Sequence, residues 1–339
     1  MNKLNIIGLM SGTSLDGLDI VYSEFTFGTN QELIEFEVIQ SKSYDYSNEF
    51  IQELKKSTEL NVVDFLKLDK KIGSVFGHHV NDFISKFKIT KDEIHAIASH
   101  GHTTFHQPEN GFTSQIGCGD TIAVLTGIPL INDFRTKDVI LGGQGAPLVP
   151  IGDFNLFKNE ADSFLNLGGI ANISFKSHNE VIAFDICPAN LPLNKIVHQK
   201  LQLNYDEGGK IASRGTIDEN LLKQLNRLDF YKETSPKTLG TEWLESQFYP
   251  DIEKIELGTS DLLATIIRHE VEQISEVLVK NNLSSVFVTG GGALNTFFIN
   301  ELKSIYTGKV IIPNKEVIEF KEALVFAFLG ALYLNKQPN

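Results

Sequence analysis

The chain has 339 residues, enough at roughly 100–200 residues per domain for two domains, which excludes a single small stapled module. Thirty Lys and Arg against 43 Asp and Glu leave a formal net charge of −13, a field that repels polyanions and disfavours nucleic acid or an anionic membrane surface as partner. Hydrophobic content of 42% with 22% charged residues excludes disorder and fibres.

In chain order, alternating apolar positions predict strands at Leu4–Gly8, Asp19–Phe27 and Leu33–Gln40. The five-residue apolar stretch at the N-terminus is short for a signal peptide and reads as the first strand. Helical spacing predicts helices over Glu49–Lys55 and Val62–Lys86. A strand at Ile94–Ser99, a short strand at Ser114–Gly117, a helix at Asp120–Thr126 and a strand at Pro129–Asp133 follow. After the Gly/Pro-rich connection Gly142–Pro150 come strands at Ser163–Leu167, Ala171–Phe175 and Val181–Asp185, then helices at Leu191–Leu201, Thr216–Leu228 and Ser260–Asn281. A strand at Ser285–Thr289, a helix from Gly292 and a strand at Val310–Pro313 complete the pattern. The apolar run Ala323–Leu334 is shorter than the roughly 20 residues of a spanning helix and reads as a buried core helix. Two cysteines, Cys118 and Cys187, exclude a disulfide framework and suit a reducing cytosol.

Each half thus runs three strands, helix, strand, helix, strand, the element order of the actin, hexokinase and Hsp70 superfamily. The fold class expected is α/β: two actin-like (ribonuclease H-like) domains, each a mixed βββαβαβ sheet flanked by helices, with an ATP cleft between them. The expected boundaries are 1–133, with a C-terminal helix at about 321–339 packing back, and 134–320.

Three glycine-rich turns are candidates for holding a nucleotide. Ser11-Gly12-Thr13-Ser14-Leu15-Asp16-Gly17-Leu18-Asp19 lies between the first two predicted strands, where bare backbone N–H groups and hydroxyls suit phosphate. Asp16 and Asp19 fit beside phosphate if Mg²⁺ or its waters lie between. Gly168-Gly169 makes the corresponding turn of the second half, and Gly290-Gly291-Gly292 joins a strand to a helix start. Neither G-x-x-x-x-G-K-[ST] nor G-x-G-x-x-G is present. His100, His102 and His106 follow a predicted strand, either as a metal cluster or as polar pocket lining, the latter preferred. Arg135 suits a forked contact to a substrate carboxylate, or a pairing with Asp133 or Asp138. Asp185, at a strand end, suits a general base or the cap of the next helix.

Taken together, Gly8-Leu-Met-Ser-Gly-Thr-Ser-Leu-Asp-Gly-Leu-Asp19, Ser99-His-Gly101, Asp133-Phe-Arg135, Gly142-Gly-Gln-Gly-Ala-Pro-Leu-Val-Pro150, Asn166-Leu-Gly-Gly-Ile-Ala-Asn172, Thr289-Gly-Gly-Gly292 and Glu322-Ala323 resemble the anhydro-N-acetylmuramic acid kinases of bacterial peptidoglycan recycling, over essentially the whole chain. The resemblance implies a cytoplasmic kinase, a homodimer, that uses MgATP and water to open the 1,6-anhydro ring and phosphorylate O6, giving N-acetylmuramic acid 6-phosphate. It implies Asp185 as the catalytic base and Ser11 to Asp19 as the ATP-phosphate loop. Gly168-Gly169 would be the second phosphate contact and Gly290–Gly292 the nucleoside side. His100, His102, Asp133, Arg135, Gln144, Asn190 and Glu322 are the expected sugar contacts.

Several positions depart from that family's pattern. Asp185-Ile186-Cys187-Pro188-Ala189-Asn190 and Asn194 replace Asp-Thr-Gly-Pro-(Gly/Ala)-Asn and a following Asp, His102 replaces Gln, and Asp153 replaces His. They frame the alternatives: a divergent member that binds ATP with altered or lost sugar chemistry, such as a related anhydro-sugar kinase or a nucleotide-dependent switch, and a metallohydrolase built on the His cluster.

Overall fold

The computed structural model describes every residue except Thr13, Ser14, Asp16, Asn179, Pro236 and Lys254. The chain falls into two units, Met1–Leu156 with Phe320–Asn339, and Phe157–Glu319.

The first unit contains β1 (Asn2–Ser11), β2 (Gly17–Phe27), β3 (Leu33–Asp45), α1 (Asn48–Lys55), α2 (Val62–Phe87), β4 (Ala96–Gln107), β5 (Phe112–Ile116), α3 (Gly119–Thr126), β6 (Leu130–Ile131), α4 (Thr136–Ile140) and α5 (Val149–Leu156). Its sheet has the order β3-β2-β1-β4-β5, and β6 pairs in parallel with β4. β1 is central, antiparallel to β2 and parallel to β4. Flanked on both sides, it reads as the near-continuous apolar run Ile6–Leu9. Ile7, Leu9, Leu18, Ile20 and Ile97 share one core with Phe76, Val80 and Phe83 of α2.

The second unit contains β7 (Ser163–Leu167), β8 (Ile170–Ser177), β9 (Glu180–Pro188), α6 (Asn190–Leu201), α7 (Glu219–Leu225), the short α8 (Thr241–Trp243) and α9 (Tyr249–Glu253), α10 (Thr259–Lys280), β10 (Ser285–Thr289), α11 (Thr296–Ile305) and β11 (Lys309–Ile311). The order β11-β10-β7-β8-β9 pairs three antiparallel strands with two parallel ones. α10 is amphipathic yet buried over most of its length, polar Thr265, His269 and Glu270 included: Ile266, Ile267, Val271 and Ile274 lie in one core with Leu165, Ile173 and Val288 of the sheet. The mixed, helix-flanked α/β sheets are those expected for the fold class.

α12 (Lys315–Leu334) begins in the second unit and belongs to the first from Phe320. Its backbone lies directly on β1. A Cβ added at Gly8 would stand 2.0 Å from the Ala323 carbonyl oxygen, and one at Gly330 would stand 2.7 Å from Ala98 Cβ. Glycine at both positions permits this approach.

Several elements differ from expectation, and three of the differences bear on the candidate site. β4 runs through the His cluster to Gln107 rather than ending at Ser99; Gly101, at φ +77°, breaks the alternation, and the strand resumes beyond it. Residues 134–156, expected in the second half, belong to the first unit, where Val139 is buried and Gly152 packs against Val325 of α12. Within them the Gly/Pro-rich connection ends in a helix, α5, with Pro150 in its first turn, where no N–H is missed.

Candidate active site

In the first unit the phosphate-loop candidate is tighter than expected. β1 extends to Ser11 and β2 starts at Gly17, because pairing continues to Met10 opposite Asp19. Ser11 is therefore not a turn residue but a buried strand end. Its Oγ accepts from the Tyr46 hydroxyl at 2.7 Å and lies 3.1 Å from His102 Nδ1. Gly12 accepts from the Leu15 N–H, and Leu15 sits at φ +60°. Gly17 has its α-carbon against the Tyr44 carbonyl, and Leu18 is in the core. Asp19 accepts a hydrogen bond from Ser43. Thr13, Ser14 and Asp16, named for phosphate and Mg²⁺, lie outside the described residues. Among the described residues no three His, Cys, Asp or Glu side chains gather as a metal cage. Mg²⁺ is commonly held through one or two carboxylates, waters and phosphate oxygens, and Asp19 places a carboxylate near the start of β2.

Arg135 pairs with neither Asp133 nor Asp138. Its Nε and Nη2 donate to His100 Nε2 at 3.1 and 2.9 Å, and its Nη1 donates to the Gly145 carbonyl at 2.7 Å. Asp138 instead accepts from the Gly145 N–H, and the exposed Asp133 accepts from the Thr136 N–H. An arginine only donates, so His100 Nε2 is the acceptor and the imidazole proton belongs on Nδ1. Burial, with the Arg135 charge second, pushes the His100 pKa down to about 3. His100 is thus a neutral post under the guanidinium, packed on Phe326 at 4.6 Å between ring centres. Burial also lowers the pKa of Arg135, and the Glu322 charge opposes that. With Nε2 engaged, His100 is not a free metal ligand, and the metallohydrolase reading is not favoured. His106, on the far part of β4, meets Thr113 Oγ1 at 3.1 Å. Gln144 is exposed in the same connection.

In the second unit, three segments meet at the ends of β7 and β10. The Gly168-Gly169 turn closes the β7–β8 hairpin. Its carbonyls accept the N–H groups of Ala189, Asn190 and Leu191. Asn190 Nδ2 adds bonds to the carbonyls of Leu167 and Gly168 at 2.9 and 2.7 Å. A Cβ at Gly290, at φ +80°, would stand 2.5 Å from Asn166 Oδ1, and one at Gly292 would stand 2.7 Å from Leu167 Cβ. At Gly291, which is exposed, it would meet nothing within 4 Å. The outer two glycines press on β7 while the middle one presents bare backbone, a surface that fits a flat base. α11 begins only at Thr296, capped by Asn295, after a 3₁₀ turn at Gly291–Leu294.

Asp185 lies inside β9, three residues before its end, rather than at the strand terminus. It does not cap α6. Its Oδ2 accepts from the Leu239 N–H at 2.9 Å, and its own N–H donates to the Lys237 carbonyl. Burial raises its pKa above the ordinary carboxylate range, with the Leu239 bond pulling the other way. No local sequence signal points to the Leu239 contact, which comes from 54 residues downstream.

The departures next to Asp185 do not crowd it. Ile186 and Cys187 are 1% and 0% exposed and lie in the core, with Cys187 Sγ directed at the Glu270 carbonyl, while Asn194 is on the surface. Asp153 is buried and accepts from Lys321 Nζ at 2.9 Å. A divergent chemistry is not favoured by side chains that point elsewhere.

A family model described as anhydro-N-acetylmuramic acid kinase matches residues 4–339. A curated relative of that name from Shewanella sediminis is 36% identical over 345 residues, covering 97% of this chain and 92% of the relative. Another, from Shewanella oneidensis, is 37% identical over 98% of this chain and 93% of the relative. Among solved structures, component A of (R)-2-hydroxyglutaryl-CoA dehydratase from Acidaminococcus fermentans has a TM-score of 0.48 at 10% identity, covering 98% of this chain and 100% of that one.

Proposed function

Because the chain belongs to the anhydro-N-acetylmuramic acid kinase family, we propose that it is the sugar kinase its relatives are named for, using ATP, Mg²⁺ and water to convert anhydro-N-acetylmuramic acid into N-acetylmuramic acid 6-phosphate and ADP. Asp185 is the base: it takes a proton from water as the water oxygen bonds to the anomeric carbon. The bond from that carbon to O6 breaks, and the freed O6 attacks the γ-phosphorus of ATP as ADP leaves. A carboxyl whose proton affinity is raised by burial and whose second oxygen is anchored on Leu239 is suited to that step.

The remaining roles are those of binding and alignment, on which phosphoryl transfer chiefly depends. The turn from Gly12 to Asp16, with Asp19 at its edge, and Gly168-Gly169 hold phosphate, and Gly290–Gly292 receives the nucleoside. Arg135 on its His100 post, with His102, Asp133, Gln144, Asn190 and Glu322, orients the sugar. When bound, Mg²⁺ neutralises phosphate oxygens, and Asp16 and Asp19 would hold its waters. Among the described residues no helix is long and apolar enough to cross a membrane. We place the enzyme in the cytoplasm, as a homodimer acting on a small anhydro-amino-sugar.

The placement of Asp185 carries this reading. Turnover of anhydro-N-acetylmuramic acid and ATP in ¹⁸O-water is expected to put the label at C1 of the product. Label in phosphate, or ADP release that the sugar does not stimulate, would overturn it.

A further inference from the structure

Away from these clusters, Lys70 of α2 and Cys118, which precedes α3, form a contact that the kinase reaction does not use. Lys70 Nζ lies 2.7 Å from Cys118 Sγ. That distance is usual when an N–H meets oxygen but short for the larger sulfur. It is also the span of two single bonds meeting at a bent angle, so one oxygen atom fits between nitrogen and sulfur with little movement.

The surroundings hold the pair in place. The Cys118 N–H donates to the Asp69 carbonyl at 3.1 Å, and the Gly117 N–H donates to Asp69 Oδ1 at 2.8 Å. Gly73 lets the Cys118 carbonyl pack against α2, where a Cβ would come within 2.6 Å. Lys70 is exposed and Cys118 partly so, so a small oxidant reaches both. Partial burial pushes the thiol up, but Lys70 and Thr121 together hold it below its ordinary value, and Lys70 is raised in turn. The thiolate is the form that peroxide oxidises, and an ammonium in contact with the sulfur favours it.

We propose that Lys70 and Cys118 form a peroxide-driven modification site, closing a reversible N–O–S bridge between α2 and the start of α3. The thiolate attacks one oxygen of hydrogen peroxide, the O–O bond breaks, and the departing hydroxide takes the Lys70 proton. This leaves a sulfenic acid, a neutral amine and water. A second peroxide oxidises the amine to a hydroxylamine and is itself reduced to water. The hydroxylamine oxygen then displaces the sulfenic hydroxyl as a third water. Sulfur and nitrogen each lose two electrons, and the two peroxides take up all four.

Intact-mass analysis of the full chain after treatment with hydrogen peroxide tests this. The expected product is about 14 Da heavier, one oxygen gained and two hydrogens lost, with the peptides carrying Lys70 and Cys118 joined and then separated by dithiothreitol. Lys70→Arg and Cys118→Ser should both abolish the joined species while leaving sugar-dependent ADP release unchanged. If the wild-type chain gains only about 16, 32 or 48 Da at Cys118 with no joined peptide, or is not modified at all, the proposal is overturned.

Discussion

Replacing Asp185 by Asn removes the proton-accepting group while changing little else. The amide oxygen can still accept from the Leu239 N–H that now binds Oδ2 at 2.9 Å, so β9 and the segment over it stay together. The positioned base is worth about 10²- to 10⁴-fold in rate, or about 2.7–5.4 kcal/mol of barrier at 1.36 kcal/mol per factor of ten. Because burial raises the proton affinity of Asp185, the loss should fall in the upper part of that range. The assay is sugar-dependent ADP release, with ATP affinity measured by calorimetry. Asp185→Asn should lose at least about 100-fold in kcat with ATP affinity nearly unchanged, since the Gly290–Gly292 turn does not rest on Asp185. The wild-type rate should also fall as pH drops through the Asp185 pKa, on a limb above the ordinary carboxylate range, and that limb should vanish in the variant. Activity within tenfold of wild type, or an unchanged acid limb, would remove Asp185 from the base role.

His269 is fully buried between Asn226 Oδ1 at 2.6 Å and the Tyr231 hydroxyl at 2.8 Å, with its pKa pushed down to about 3 by burial. Its folded pKa lies below the unfolded one, so its contribution is present above about pH 6.5 and is lost as pH falls toward 3, about 2 kcal/mol of it by pH 5. Urea unfolding at pH 7 and pH 5 should show a shallower loss in His269→Phe, and an equal loss would refute the assignment. Asp153→Ala removes the carboxylate from a Lys321 ammonium that is itself 4% exposed, at a cost of about 3–5 kcal/mol. The paired Asp153→Leu, Lys321→Met should recover most of it in thermal unfolding; a mild single variant, or a double no better than the single, would contradict that. Gly291→Ala, whose Cβ meets nothing, should leave Tm unchanged and raise KM for ATP, whereas Gly290→Ala, strained at φ +80° and crowded by Asn166, should lower Tm. Equal thermal effects would mean that the turn is not shaped as described.

Much of the architecture was legible because its elements repeat at regular periods. The unbroken apolar run of β1 and the helical stripe of α2 reveal themselves within a few residues. What stayed hidden depends on partners remote in sequence. Gly101 interrupts the alternation that would carry β4 past Ser99, and Pro150 masks the start of α5. The glycine turns were found as motifs, but that Gly290 and Gly292 press on β7 while Gly291 does not is a tertiary fact. Arg135 stands out in the sequence, yet its partner His100 lies 35 residues earlier, and the two nearby carboxylates, Asp133 and Asp138, each accept from a backbone N–H instead. The substitutions around Asp185 look alarming in sequence because neighbours along a strand read as neighbours in a site. The buried end of β9 sends Ile186 and Cys187 into the core instead.

α12 also bears on how the protein is made. Translation proceeds from the N-terminus, so β1 and β4 leave the ribosome long before Ala323, Ala327 and Gly330, the residues that cover Gly8 and Ala98. The second unit's 163 residues, Phe157–Glu319, are synthesised in the interval. The unit begun first is thus the one finished last, and until then the apolar face of its central strands is a surface for chaperones to shield. Premature termination anywhere before α12 would leave that face uncovered in the product, even where every residue of the glycine loops had been made.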